Sequence, residues 1–131
     1  MAEQPAPREQ LTATVTVHAT VAHLHLSGEL DMDTVPDVEA AVRTAFLGHP
    51  RIIIIEASAL SFCDCAGLGA LLRASRRITD TGGVFHLENP SPRLVRLAAL
   101  TGTSAALGLA APLSPPRQEP RVDAPAIGAG R

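Results

Sequence analysis

Aromatic side chains are almost missing from this sequence: it has no Trp and no Tyr, and its only large rings are Phe46, Phe62 and Phe85. A core must therefore be packed from Ile, Leu, Val and Ala around those three rings, and the stacking platforms that hold unpaired bases are not there. Lysine is missing as well. All 11 basic residues are Arg, set against 13 acidic ones, and they are scattered without a block that would track a phosphate backbone. No nucleic-acid partner is expected. No apolar run approaches the roughly 20 residues that span a bilayer, so direct membrane insertion is not expected either. The start, Met1-Ala2-Glu3-Gln4-Pro5-Ala6-Pro7-Arg8, lacks the charged-then-apolar layout of a secretory signal, which points to a cytoplasmic protein. Cysteine is scarce: Cys63 and Cys65 flank a single residue and cannot staple distant parts of a fold, so reduced thiols in a reducing compartment are expected.

Catalytic signatures are also wanting. There is no nucleophile, base and acid set in one stretch, no phosphate-cradling Gly-x-x-x-x-Gly-Lys and no metal-binding quartet, so neither an enzyme nor a cofactor is expected.

The 131 residues, 46% of them hydrophobic, suffice for one domain with a substantial core. The polar, proline-bearing residues 1–10 read as a flexible arm, 11–109 as the domain, and the Pro/Ala/Gly-rich 110–131 as a disordered tail. Leu11, Ala13, Val15 and Val17 alternate with Thr12, Thr14, Thr16 and His18, the pattern of a half-buried strand; Ala22, Leu24 and Leu26 alternate in the same way with Val21, His23, His25 and Ser27. A turn at Ala19-Thr20 makes the pair a hairpin. His23 and His25 share the polar face, where they can offer two imidazoles to a metal or simply meet solvent; no third ligand of suitable spacing is evident.

Asp33-Thr34-Val35-Pro36-Asp37 reads as a helix start, with Val35, Val38, Val42, Ala45 and Phe46 on the apolar face and an end at Gly48. Glu39 and Arg43, four apart, are placed to pair. The cluster Glu29, Asp31 and Asp33 is open to two readings, a cation site or a capped helix start on the surface. Later, Val84-Phe85-His86-Leu87-Glu88 reads as a strand and Ser91-Pro92 as the start of a helix carrying Leu94, Val95, Leu97, Ala98 and Leu100 up to Gly102. Strands alternating with helices after an antiparallel hairpin predict an α/β domain with a mixed sheet of about four strands.

The most informative stretch is Arg51–Arg77. The β-branched run Ile52-Ile53-Ile54-Ile55 predicts a central strand buried on both faces. A short polar turn follows. Then Phe62-Cys63-Asp64-Cys65-Ala66-Gly67-Leu68-Gly69 opens a helix whose apolar face is Leu68, Leu71, Leu72 and Ile78, with Arg73, Arg76 and Arg77 opposite. Asp64 is a natural N-cap, and the small residues Ala66, Gly67 and Gly69 leave the helix start open to a partner.

This order, Phe-x-Asp-x-x-Gly-Leu-Gly-x-Leu-Leu after a strand, resembles the signature of STAS domains, in particular the bacterial anti-sigma factor antagonists. Leu26-Ser27-Gly28-Glu29-Leu30-Asp31, Gly82-Gly83-Val84-Phe85-His86-Leu87, Ser91-Pro92 and Leu100-Thr101-Gly102 match the same family in order, over about Thr12 to Leu109. The resemblance implies a single STAS-like domain and a partner that is an anti-sigma factor acting as a serine kinase. It implies a partner-binding surface of Asp31, Asp64, Cys65, Ala66, Gly67 and Leu68. In that family the loop reads Asp-Ser-Ser-Gly, and the second serine takes the phosphate; the matching residue here is Ala66, which has no hydroxyl. No phosphorylation site is therefore expected, because a methyl group cannot accept the charge of about −1.5 to −2 that the modification adds.

Three roles follow: an antagonist that is not switched off by phosphorylation, an antagonist with its input elsewhere, for instance at the Cys65 thiol, or a STAS interaction subunit of another complex such as a transporter accessory protein. Glu56-Ala57 replaces the family's usual Asp-Leu, and Thr103–Ala111 is a weak segment where relatives add a last strand and helix.

Overall fold

The computed structural model describes residues 10–109. The expected arm, apart from Gln10, and the expected tail lie outside the described residues. Four strands and three helices follow in the order β1 (Thr12–His18), β2 (Val21–Leu30), α1 (Val35–Phe46), β3 (Ile52–Cys63), α2 (Cys65–Asp80), β4 (Val84–Glu88) and α3 (Pro92–Leu100). The sheet order is β1-β2-β3-β4. β1 and β2 form the expected antiparallel hairpin, while β3 and β4 join in parallel through α1 and α2. Crossovers between parallel strands are right-handed, so both helices fall on one side of the sheet.

That side is the core. Ala22, Leu24 and Leu26 of β2, Ile53, Ile55 and Ala57 of β3, and Phe85 and Leu87 of β4 are buried there against Val38, Ala41, Val42 and Ala45 of α1 and Leu68, Leu71 and Ile78 of α2. The opposite face is not sealed. Ile52 and Ile54 are only partly buried and Val84 and His86 are exposed, so β3 is buried on one face and not on both as its apolar run predicts. A run of four isoleucines looks the same whether its second face is packed or half-covered.

β3 also runs further than expected. The stretch 57–61, expected as a polar turn, continues the strand and stays paired with β2 as far as Leu30 opposite Cys63, with register shifts between His25 and Ser27 and between Gly28 and Glu29. Gly28 has a φ of 105°, and a Cβ there would lie 2.2 Å from the carbonyl oxygen of Gln10, so only glycine fits where the incoming chain crosses β2.

Several local expectations change for physical reasons. α1 ends at Phe46, and the left-handed residue beyond it is His49 (φ 52°), not Gly48. Glu39 pairs with Arg73 of α2, 3.0 Å away, and not with Arg43 of its own helix; packing α1 beside α2 brings the longer-range partner into reach. Val95 and Leu100 are exposed, leaving Leu94 and Ala98 as the buried residues of α3. The weak segment after α3 is a run of turns, as far as it is described, and it closes the end of the core. Leu107 is fully buried, and the hydroxyl of Ser75 donates to the carbonyl of Ala106.

Candidate functional site

The parallel pair β2–β3 brings two loops together at its C-terminal end. Leu30 lies opposite Cys63, and the backbone N–H of Asp64 donates to the carbonyl of Leu30 at 3.2 Å, so the Asp31 loop and the Asp64 loop share one edge of the domain. The open end of parallel strands is where such folds present side chains to a ligand or a partner.

Asp64 caps α2: its Oδ1 accepts from the N–H of Gly67 at 2.8 Å, and its carbonyl accepts from the N–H of Leu68 at 2.8 Å. Gly67 is buried. A Cβ there would come within 2.7 Å of Leu30 Cγ, 2.8 Å of the Leu30 carbonyl oxygen and 3.0 Å of Cys63 Sγ. The sequence suggests that Gly67 opens the helix start to a partner; instead it lets the first turn press against β2. Leu68 is 3% exposed and belongs to the core. The residues that face outward from this turn are Cys65 and Ala66.

Asp31 is itself buried. Its Oδ1 accepts from the backbone N–H groups of Asp33 (3.0 Å) and Thr34 (3.2 Å), and its own N–H donates to Thr34 Oγ1 (2.9 Å), which in turn donates to the carbonyl of Glu29 (2.9 Å). These bonds fold the β2–α1 loop, so Asp31 sets the shape of the surface rather than projecting from it. Thr34, spent on this network, gives α1 no side-chain cap. Among the described residues, no group of three or more His, Cys, Asp or Glu is arranged to hold a metal, and His23 and His25 stack on each other with ring centroids 6.1 Å apart.

The two thiols differ. Cys65 is exposed at the first position of α2. Cys63 is partly buried, and its S–H donates to the Asp64 carbonyl at 3.6 Å. Burial first, then the neighbouring Asp64 and Cys65, push its pKa up to about 12. At neutral pH Cys63 stays a thiol and is a poor nucleophile.

Two exposed apolar side chains lie beside these loops. Phe62, expected in the core, is 41% exposed, and Met32, in the Asp31 loop, is 73% exposed. Two register shifts break the alternation of β3, so that Leu60 is buried and Phe62, two residues on, is not, and a plain parity count does not follow them. Exposed Met32 in the Asp31 loop, exposed Phe62 at the end of β3, and the small helix start (Cys65, Ala66) stand around a rigid hydrogen-bonded frame, with Phe62 turned toward Ser91, Arg93 and Leu94. This surface suits contact with another macromolecule, since exposed apolar groups rimmed by polar ones mark such surfaces.

Comparison with known proteins finds relatives in sequence and in fold. The sequence profile of the STAS domain family matches residues 12–115. The chain is 33% identical over 97 residues to the anti-sigma-F factor antagonist RsfB of Mycobacterium tuberculosis, covering 72% of this chain and 80% of that protein. An anti-sigma factor antagonist from Mycobacterium paratuberculosis superposes with a TM-score of 0.65 at 28% identity, over 80% of this chain and 89% of that one. The anti-sigma factor antagonist SpoIIAA superposes in its unphosphorylated form with a TM-score of 0.59 at 31% identity, over 68% and 83% of the two chains. The phosphorylated form of SpoIIAA, from Bacillus, gives 0.57 at 28% identity, over 72% and 86%.

Proposed function

The chain belongs to the STAS domain family, and from that premise we propose that it is an anti-sigma factor antagonist, a cytoplasmic binding protein that captures an anti-sigma factor and so frees a sigma factor. The supporting observation is the single edge built by the Asp31 and Asp64 loops, joined through Leu30 and Asp64, with Cys65 and Ala66 facing outward. In this reading Asp64 and Gly67 hold the helix start in place, Asp31 shapes the neighbouring loop, Leu68 anchors the turn from below, and Cys65 and Ala66 make the direct contact. The similarity to RsfB and SpoIIAA supports the antagonist role.

The partner is an anti-sigma factor of the serine-kinase type. SpoIIAA is known in unphosphorylated and phosphorylated forms. Here Ala66 stands where the family signature places the accepting serine, so the kinase binds this chain without being able to modify it at that position. Its capture of the anti-sigma factor is therefore not released by phosphorylation there.

The test is affinity capture of the tagged full chain from its own cells, in ATP and in ADP, with identification of bound proteins and of any phosphorylated residue. Recovery of an anti-sigma factor, with residues 61–69 unmodified after incubation in ATP, is the expected result. Recovery of transporter components instead, or phosphate on Ser61, overturns the reading.

A further inference from the structure

The arginines that are scattered in sequence gather in the fold. Between α1 and α2 runs a groove of about 310 Å³, floored by Val42, Ala70 and Ala74 and flanked by the guanidinium groups of Arg43, Arg73 and Arg77. Two of the three are held in place. Arg73 Nη2 donates to Glu39 Oε2 at 3.0 Å, and the Arg77 guanidinium lies over the Phe46 ring, 4.1 Å from its centroid. Stacking leaves the in-plane N–H donors of a guanidinium free to bind a carboxylate. Among the described residues, neither Arg43 nor Arg77 has a carboxylate within ion-pair distance, so Glu39 offsets only one of three positive charges. Arg73 also reaches back along α2: its Nη1 lies 3.4 Å from where a Cβ on Gly69 would sit.

We propose that the α1–α2 groove docks an acidic α-helical segment of the partner, with carboxylates along one of its faces meeting Arg43 and Arg77. The proposal deepens the reading above and rests on it only for the identity of the protein that carries the segment. The floor of small side chains lets a third helix approach closely. Arg43 stands on the α1 wall and Arg77 on the α2 wall, so a helix laid between them can present carboxylates to both, spaced by turns along its own face. The groove suits a carboxylate-bearing helix better than nucleic acid. Glu39 stands in its wall, the one nearby ring is already covered by Arg77, and three arginines are too few to follow a phosphate backbone.

The test uses the full chain, labelled with ¹⁵N, and a synthetic helical peptide carrying glutamates four residues apart on one face. A second peptide, with glutamine at each of those positions, is the control. Saturable shifts in the amides of Val42, Arg43, Ala70, Arg73 and Arg77 with the glutamate peptide are expected. Binding should weaken with added salt and fall roughly tenfold in the doubly substituted Arg43→Gln, Arg77→Gln protein, whose dispersed spectrum reports that it is folded. Absent or scattered shifts, equal binding of the two peptides, or unchanged binding by the double variant overturns the proposal. Titration with the anti-sigma factor separates the two readings. Failure of the unsubstituted chain to bind it contradicts the antagonist role and leaves the peptide result standing. Full affinity and salt dependence in the double variant overturns the groove alone.

Discussion

Gly67→Ala sets two opposite effects against each other, and the structure says which prevails. In a helix interior, replacing glycine by alanine gains up to about 1 kcal/mol in backbone entropy and propensity. At Gly67 the added methyl meets Leu30 Cγ at 2.7 Å, the Leu30 carbonyl oxygen at 2.8 Å and Cys63 Sγ at 3.0 Å. Leu30 can repack its side chain, but a strand carbonyl cannot rotate away, so the first turn of α2 must lift from β2. Overpacking of this kind costs about 1–3 kcal/mol, and displacing the Asp64 cap adds up to about 1 kcal/mol more. The net expectation is a loss of about 1–2 kcal/mol, or a fall in Tm of roughly 5–10 °C for a domain of this size. Gly69→Ala is the control: its Cβ meets only the mobile end of Arg73, at 3.4 Å, so that variant should be as stable as the unsubstituted chain or more so, by up to about 1 kcal/mol. Urea denaturation at constant m-value reads both. If Gly67→Ala matches or exceeds the stability of Gly69→Ala, the close packing of the signature turn on β2 is refuted.

Three further outcomes follow from the same coordinates. At pH 8, a thiol reagent should label Cys65 rapidly and Cys63 only on unfolding; because Cys63 ionises at about 12 when folded, against an ordinary 9.0, the unfolded chain releases that proton first and stability should fall between those values, less steeply in Cys63→Ala. Hydrogen bonds from Ser58, then Asn89, hold the Glu56 carboxyl below its ordinary 4.5, so its contribution is present above that pH and is lost as pH falls through the lower folded value. Glu56 is largely solvated, so an acid titration of stability should differ from that of Glu56→Gln by less than about 1 kcal/mol, and a larger gap would contradict the assignment. Leu107→Ala empties a fully buried site and should cost about 2–5 kcal/mol in urea unfolding; a cost near zero would mean that the turns after α3 do not close the core.

The sequence carried the element order because alternation, caps and β-branched runs are local signals. The hairpin, the Asp64 cap, β4 over Val84–Glu88 and the Ser91 start of α3 were all legible in that way. What it could not carry is contact between distant residues. Gly67 looks like an open position until Leu30 is placed against it, and Glu39 has a plausible partner in Arg43 until α2 supplies Arg73. The isoleucine run does not reveal which of its faces is packed. Ring size suggests that Phe62 is buried, but the second register shift along β3 exposes it while Leu60, two residues earlier, stays buried. Leu107 gave no signal, since two leucines, Leu107 and Leu109, among Ala, Gly, Ser and Thr are too few to set a period.

The central claim is that the outward face of the α2 start, at Cys65 and Ala66, binds the anti-sigma factor. Its most direct test is calorimetric titration of the anti-sigma factor with the unsubstituted chain and with Ala66→Glu, which places one negative charge where the family signature carries phosphate. The account predicts one-to-one binding by the former and a loss of tenfold or more in affinity, roughly 1.4 kcal/mol, by the latter, with stability unchanged because Ala66 is exposed. Equal affinity for the two proteins would contradict it.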